Sequence, residues 1–238
     1  MKTERFGDLN VCVCGGTDGS GGGDGPLVVL SHGFGAPGTD LVGLARVIPV
    51  ERSVRFAFPA APIALSAMGF MDDARAWWEI DMMRLQMQLM TGNVERLLEE
   101  VPDGLAEARA KLVATVEALE KSLGVPQDKV FIGGFSQGAM LSCDVMLRTS
   151  RPFAGLVLLS GSMIAQREWL PLMPARAKIP VFQSHGTHDP ILPYRAAERL
   201  RDALTEAGLS VQFTAFRGQH EIPMPVLDRL GKWLSDPR

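Results

Sequence analysis

The sequence predicts an α/β fold, with a mostly parallel central sheet and helices on both faces. Short apolar, β-rich runs alternate with helical patterns along most of the chain, the order that gives parallel strands joined by crossover helices. No internal repeat or composition shift marks a second domain, so residues 1–238 read as one unit. The residues with the most chemistry fall just beyond strand ends, the edge where open α/β sheets place their sites.

The elements follow in order. Cys12 and Cys14 alternate along an early strand and share one face, as two small apolar residues turned to the core. Gly15 to Gly25 is glycine-rich and reads as a mobile surface connection. It lacks the Lys-Ser or Lys-Thr ending of a phosphate loop. Leu27 to Ser31 is a buried strand, Thr39 to Ile48 a helix, and Val54 to Phe58 a strand ended by Pro59. Leu105, Ala108, Leu112, Val116 and Leu119 recur at helical spacing in a helix from Leu105 to Leu123. Strands at Val130 to Gly133, Gly155 to Ser160, Val181 to Ser184 and Val211 to Phe216 complete the series, with helices at Gln137 to Leu147 and Tyr194 to Ala207. Cys143 lies on the first of these helices and reads as packed core.

Residues 64–102 fit the alternation poorly. They hold six of the 12 methionines, with Trp77 and Trp78. Methionine adapts to irregular apolar surfaces. The segment is therefore either a cap or wall over an acyl-binding groove or a helix buried against the body. An exposed Met-rich face would also suit a homodimer contact.

Composition narrows the function. The apolar share is 46%, the charged share 21% and the net charge −3. No broad basic field invites nucleic acid or anionic lipid. The N-terminus lacks the apolar core of a signal peptide, and no apolar segment reaches membrane-spanning length. A cytoplasmic location is the expectation, and three cysteines do not suggest a disulfide framework.

Gly134-Phe135-Ser136-Gln137-Gly138 reads G-x-S-x-G where an apolar strand gives way to a helix. Ser136 at such a turn is a nucleophile elbow, provided that a base, an acid and an oxyanion hole exist. The order Ser136, Asp189, His220 follows that of α/β-hydrolases, and each residue sits just past a strand end. His32-Gly33-Phe34-Gly35 follows the strand ending at Ser31. The Phe34 N–H would pair with that of Gln137 to hold an oxyanion. His32 is expected to support this loop rather than to act as the base.

The stretches H-G-F-G, F-P-A-A-P, A-W-W-E-I, G-F-S-Q-G, S-H-G-T-H-D-P-I-L-P and G-Q-H-E-I-P occur in this order. Together they resemble the phospholipase/carboxylesterase family of serine α/β-hydrolases, which includes the acyl-protein thioesterases. The resemblance runs from about Leu27 to the C-terminus. It implies an α/β-hydrolase fold, Ser136 as nucleophile, Asp189 as acid, His220 as base, and Phe34 and Gln137 as oxyanion donors. It also implies Trp77 beside the substrate groove, where Leu192 is expected as a second substrate contact. Family members often carry Asp where this chain has Thr187, and His188 is not a typical neighbour.

Other readings compete at single positions. His185, His188 and Asp189 as metal ligands would need a geometry that Gly186 and Pro190 disfavour. Glu221 as the orienting acid is awkward beside His220. Ser162 lacks the flanking glycines of an elbow. The expectation is a serine carboxylesterase acting on a small-molecule ester of a hydrophobic acyl group, through an acyl-enzyme and without cofactor or metal. The alternatives are an acyl-protein thioesterase, a lysophospholipase, or a non-catalytic binding protein on the same fold.

Overall fold

The computed structural model describes residues 1–81, 83, 84, 87, 90 and 98–237. Among them an eight-stranded sheet runs β1-β2-β4-β3-β7-β8-β9-β10. Its strands are β1 (Lys2–Phe6), β2 (Leu9–Gly15), β3 (Leu27–Ser31), β4 (Arg55–Pro59), β7 (Val130–Phe135), β8 (Gly155–Leu159), β9 (Pro180–Gly186) and β10 (Ser210–Phe216). β1 and β2 pair antiparallel with their neighbours. From β4 through β10 every pairing is parallel. Two short strands, β5 (Ile63–Ala64) and β6 (Arg75–Ala76), form a separate antiparallel pair.

Alternation along the strands builds two cores. Leu27 and Val29 of β3 face one side with Val130 and Ile132 of β7. There they meet α2 (Leu105–Leu123), α3 (Gln137–Arg148) and α5 (Tyr194–Glu206). Val28, Leu30, Cys12 and Cys14 face the other side, against Leu41, Ile48 and α6 (Met224–Ser235). Burying both faces accounts for the nearly continuous apolar character of β3 and β8. Cys143 is buried in the first core.

One local expectation changes, and two details are added. Thr39 to Ile48 is not one helix but a 3-10 turn, Asp40–Gly43, followed by the single turn α1 (Leu44–Val47). Gly43 weakens the middle of this stretch, and Pro49 drives Ile48 into an extended conformation at ψ 119°. The glycine-rich connection carries hydrogen bonds of its own: Asp18 Oδ1 accepts the Ser20 and Gly22 N–H groups, and Thr17 N–H donates to Gly22. The strand β1 and the helices α4 (Gln166–Trp169) and α6 are additions to the predicted order.

The Met-rich stretch divides at its tryptophans. Trp77 and Trp78 are buried, whereas Met71, Met83 and Met90 are 71%, 79% and 81% exposed. The methionines with described positions therefore do not pack into the body, and Met82 lies outside the described residues.

Candidate active site

Ser136 stands between β7 and α3 with φ 54° and ψ −118°, a conformation that strains any residue with a Cβ. The turn is possible because its neighbours lack side chains. A Cβ on Gly134 would lie 2.3 Å from the Ser31 carbonyl oxygen, and one on Gly138 would lie 2.0 Å from the same atom. The Ser136 N–H donates to Leu159 at 2.9 Å, and its carbonyl accepts the Ala139 and Met140 N–H groups.

Asp189 and His220 come from the loops after β9 and β10, and they meet. His220 Nδ1 lies 2.7 Å from Asp189 Oδ2. The two loops are tied by backbone bonds from Thr187 to Phe216 and from His188 to Gly218, each 2.9 Å. The His220 ring packs on Phe135, the residue before Ser136, with centroids 4.7 Å apart. Ser136 Oγ makes no hydrogen bond to His220 among the described residues, a common state of such pairs without substrate.

The Asp189 carboxyl is saturated. Oδ1 accepts the N–H groups of Ile191 and Leu192, both at 2.9 Å. Oδ2 faces His220 and, at 3.3 Å, His185 Nε2. Burial opposes ionisation, yet the hydrogen bonds from His185, His220 and Leu192 outweigh it and hold the acid well below the usual carboxylate range. Glu221 is turned elsewhere, accepting the Gln219 N–H at 3.0 Å.

The Phe34 N–H has no acceptor among the described residues. The Gln137 N–H is the first of α3 and has no intrahelical partner. His32 braces the Phe34 loop from beneath: its Nε2 accepts the Ala61 N–H at 3.0 Å, and Nδ1 lies 2.8 Å from the Gly33 carbonyl. That pattern requires a neutral ring with its proton on Nδ1.

A cavity of about 510 Å³ is lined by Trp78, Ile80, Met140, Met163, Ile164 and Leu192, with charged residues such as Glu79 and Arg84 also on its wall; none of Ser136, Asp189 and His220 lines it, and it reaches them through two neighbours. Met140 lies one turn along α3 from Ser136, and the Leu192 N–H holds Asp189. Ser162 also lines the cavity, with its hydroxyl against the Met140 sulfur. Trp77 is 1% exposed and stands behind the wall, its indole N–H donating to the His32 carbonyl at 3.0 Å. Its neighbour Trp78 faces the cavity instead. Both tryptophans lie in the bend that follows β6, so the pair W-W alone does not say which ring is which.

His188 is exposed, with Nδ1 3.0 Å from the Thr187 hydroxyl. Among the described residues no group of three or more His, Cys, Asp or Glu is placed to hold a metal ion. Two side chains support the site in a role that the sequence motifs did not indicate. The Gln137 carboxamide bonds to Trp77 and Trp78, and His185 touches Asp189. The strand phase Val181, Gln183, His185 is the signal that places His185 on the α5 side of the sheet with Val181.

Comparison with known proteins agrees with this architecture. The profile of the family described as Phospholipase/Carboxylesterase matches residues 22–236. Acyl-protein thioesterase 1 of Neurospora crassa is 26% identical over 220 residues, spanning 88% of this chain and 85% of that protein. The crystal structure of esterase PE8 superposes with a TM-score of 0.79 at 24% identity, covering 97% of this chain and 99% of that one. The carboxylesterase from Mesorhizobium loti gives a TM-score of 0.74 at 19% identity, with 100% of both chains covered. The chain belongs to the phospholipase/carboxylesterase family of α/β-hydrolases, serine hydrolases that act on ester bonds.

Proposed function

We propose that this chain hydrolyses esters of hydrophobic acyl groups through Ser136, His220 and Asp189, by way of an acyl-enzyme. The 2.7 Å bond between His220 Nδ1 and Asp189 Oδ2, beside the strained turn at Ser136, carries the reading. With Nδ1–H donated to the carboxylate, Nε2 is the basic nitrogen.

Ser136 Oγ attacks the ester carbonyl carbon as His220 Nε2 takes the hydroxyl proton. The Phe34 and Gln137 N–H groups receive the charge that develops on the carbonyl oxygen. Collapse of the tetrahedral species breaks the bond to the leaving oxygen, and His220 returns the proton to it. Water then attacks the acyl-serine, giving its proton to His220, and the acid departs as Ser136 regains that proton. No cofactor enters any step.

The apolar floor formed by Trp78, Ile80, Met140, Met163 and Leu192 supports a hydrophobic acyl chain. A thioester runs through the same steps, with a thiol leaving. The relative named an acyl-protein thioesterase favours that second reading. A cytoplasmic location is part of the proposal, supported by the free, buried Cys12, Cys14 and Cys143. Among the described residues no helix is long and apolar enough to cross a membrane.

Ser136→Ala tests the assignment on a short p-nitrophenyl ester. The expected outcome is loss of turnover with the circular dichroism spectrum preserved. Retained turnover overturns the role of Ser136.

A further inference from the structure

His185 is fully buried at the end of β9, and its two nitrogens are in different situations. Nε2 lies 2.9 Å from the carbonyl oxygen of Leu192. A carbonyl only accepts, so Nε2 carries the hydrogen. The same nitrogen is also 3.3 Å from Asp189 Oδ2, close enough for its N–H dipole to act on the carboxylate. Nδ1 is buried and has no partner among the described residues. A second proton there would leave a buried N–H unmatched, so the ring is neutral with Nε2 protonated.

This bond closes the loop that carries the acid. Asp189 Oδ1 accepts from Ile191 and Leu192, while His185 reaches across to the Leu192 carbonyl. Both peptide groups of Leu192 are thereby fixed, and the carboxylate is held at both oxygens. His220 shares Oδ2 with His185. The charge felt by His220 is therefore lower than a singly bonded carboxylate would present.

We infer that His185 is a positioning residue: its single Nε2–H orients the Asp189 carboxylate and divides the Oδ2 charge between two imidazoles. The inference rests on the reading of Asp189 as the acid of the triad. The titratable groups that face His185 are Asp189 on its own loop, His220 from the loop after β10, and Tyr194 from α5 at a ring distance of 6.2 Å. Burial, reinforced by Glu198, raises the Tyr194 hydroxyl, so it stays neutral through the working range.

Two measurements test this. In the wild-type protein labelled with 15N-histidine, His185 shows a protonated Nε2 and a bare Nδ1 at pH 8. An Nδ1–H tautomer overturns the inference, because the N–H would then point away from Asp189. In the second, His185→Leu and His185→Gln are compared on one ester. The Leu variant loses about ten-fold in kcat with KM little changed, and the acid limb of its rate profile moves up by about half a pH unit. The Gln variant, with an amide donor in place of the imidazole, recovers most of both. A folded Leu variant with unchanged kcat and acid limb overturns the inference, whatever its melting temperature. If the Leu variant does not fold, the tautomer decides. Ser136→Ala bears on the triad alone and leaves the His185 tautomer measurable, so the two failures are distinguishable.

Discussion

The side-chain Nε2 of Gln137 donates to the carbonyl of Trp78 at 2.8 Å, and its Oε1 accepts the N–H of Trp77 at 2.9 Å. One buried carboxamide thus joins the residue after the nucleophile to the wall of the cavity. Gln137→Ala keeps the backbone N–H but strands two buried peptide groups. A loss of about 2–4 kcal/mol follows from leaving both unpaired. Urea denaturation followed by tryptophan fluorescence measures it, and unchanged stability would show that these groups find other partners.

Asp189→Asn keeps an oxygen for the Ile191 and Leu192 N–H groups and so preserves the loop. The amide no longer stabilises a charged His220, and it can favour the wrong tautomer. A fall in kcat of about 10⁴-fold is expected, with KM little changed. Steady-state kinetics beside a thermal melt checks it; a loss below ten-fold would make Asp189 a structural residue.

Ile80 is partly buried and lines the cavity. Ile80→Trp fills that space without touching Ser136, Asp189 or His220. It should lower kcat/KM for a long-chain ester about ten-fold or more while leaving an acetate ester nearly unchanged. Equal effects on both chain lengths would place the acyl group elsewhere.

His32 gives a prediction with pH. Burial lowers its pKa from the ordinary histidine value, against a smaller opposing effect of the Gly33 carbonyl. The unfolded chain then binds a proton more readily than the folded one. The stabilisation is complete above the unfolded value of about 6.5 and is lost as pH falls toward the depressed folded value. His32→Phe, which cannot titrate, should flatten the fall in unfolding free energy between pH 7 and pH 5. Parallel slopes for the two proteins would contradict it.

Much of this was legible in the sequence because burial on both faces writes long apolar runs. β3 and α2 fall where the pattern puts them, and β7 runs two residues further, to the residue before Ser136. The placement of Ser136, Asp189 and His220 past strand ends was legible for the same reason. β1 was not, since Lys2-Thr3-Glu4-Arg5-Phe6 is an edge strand with one buried residue. Which tryptophan faces the cavity depends on how the chain bends after β6. The bracing by His185 depends on a loop that returns to the strand it left, and no local pattern encodes that return.

The Ser31 carbonyl sits where side chains at Gly134 and Gly138 would have to go. It is also the last residue of β3 before the Phe34 loop, and it pairs in register with Gly134 of β7. The partners in this pairing are about a hundred residues apart in the chain, so bringing them together costs more chain entropy than a local contact does. Until they meet, the turn at Ser136 has no surface to close against and the loop carrying Phe34 has no anchor. Esterase activity regained during refolding is therefore expected no earlier than the union of β3 and β7.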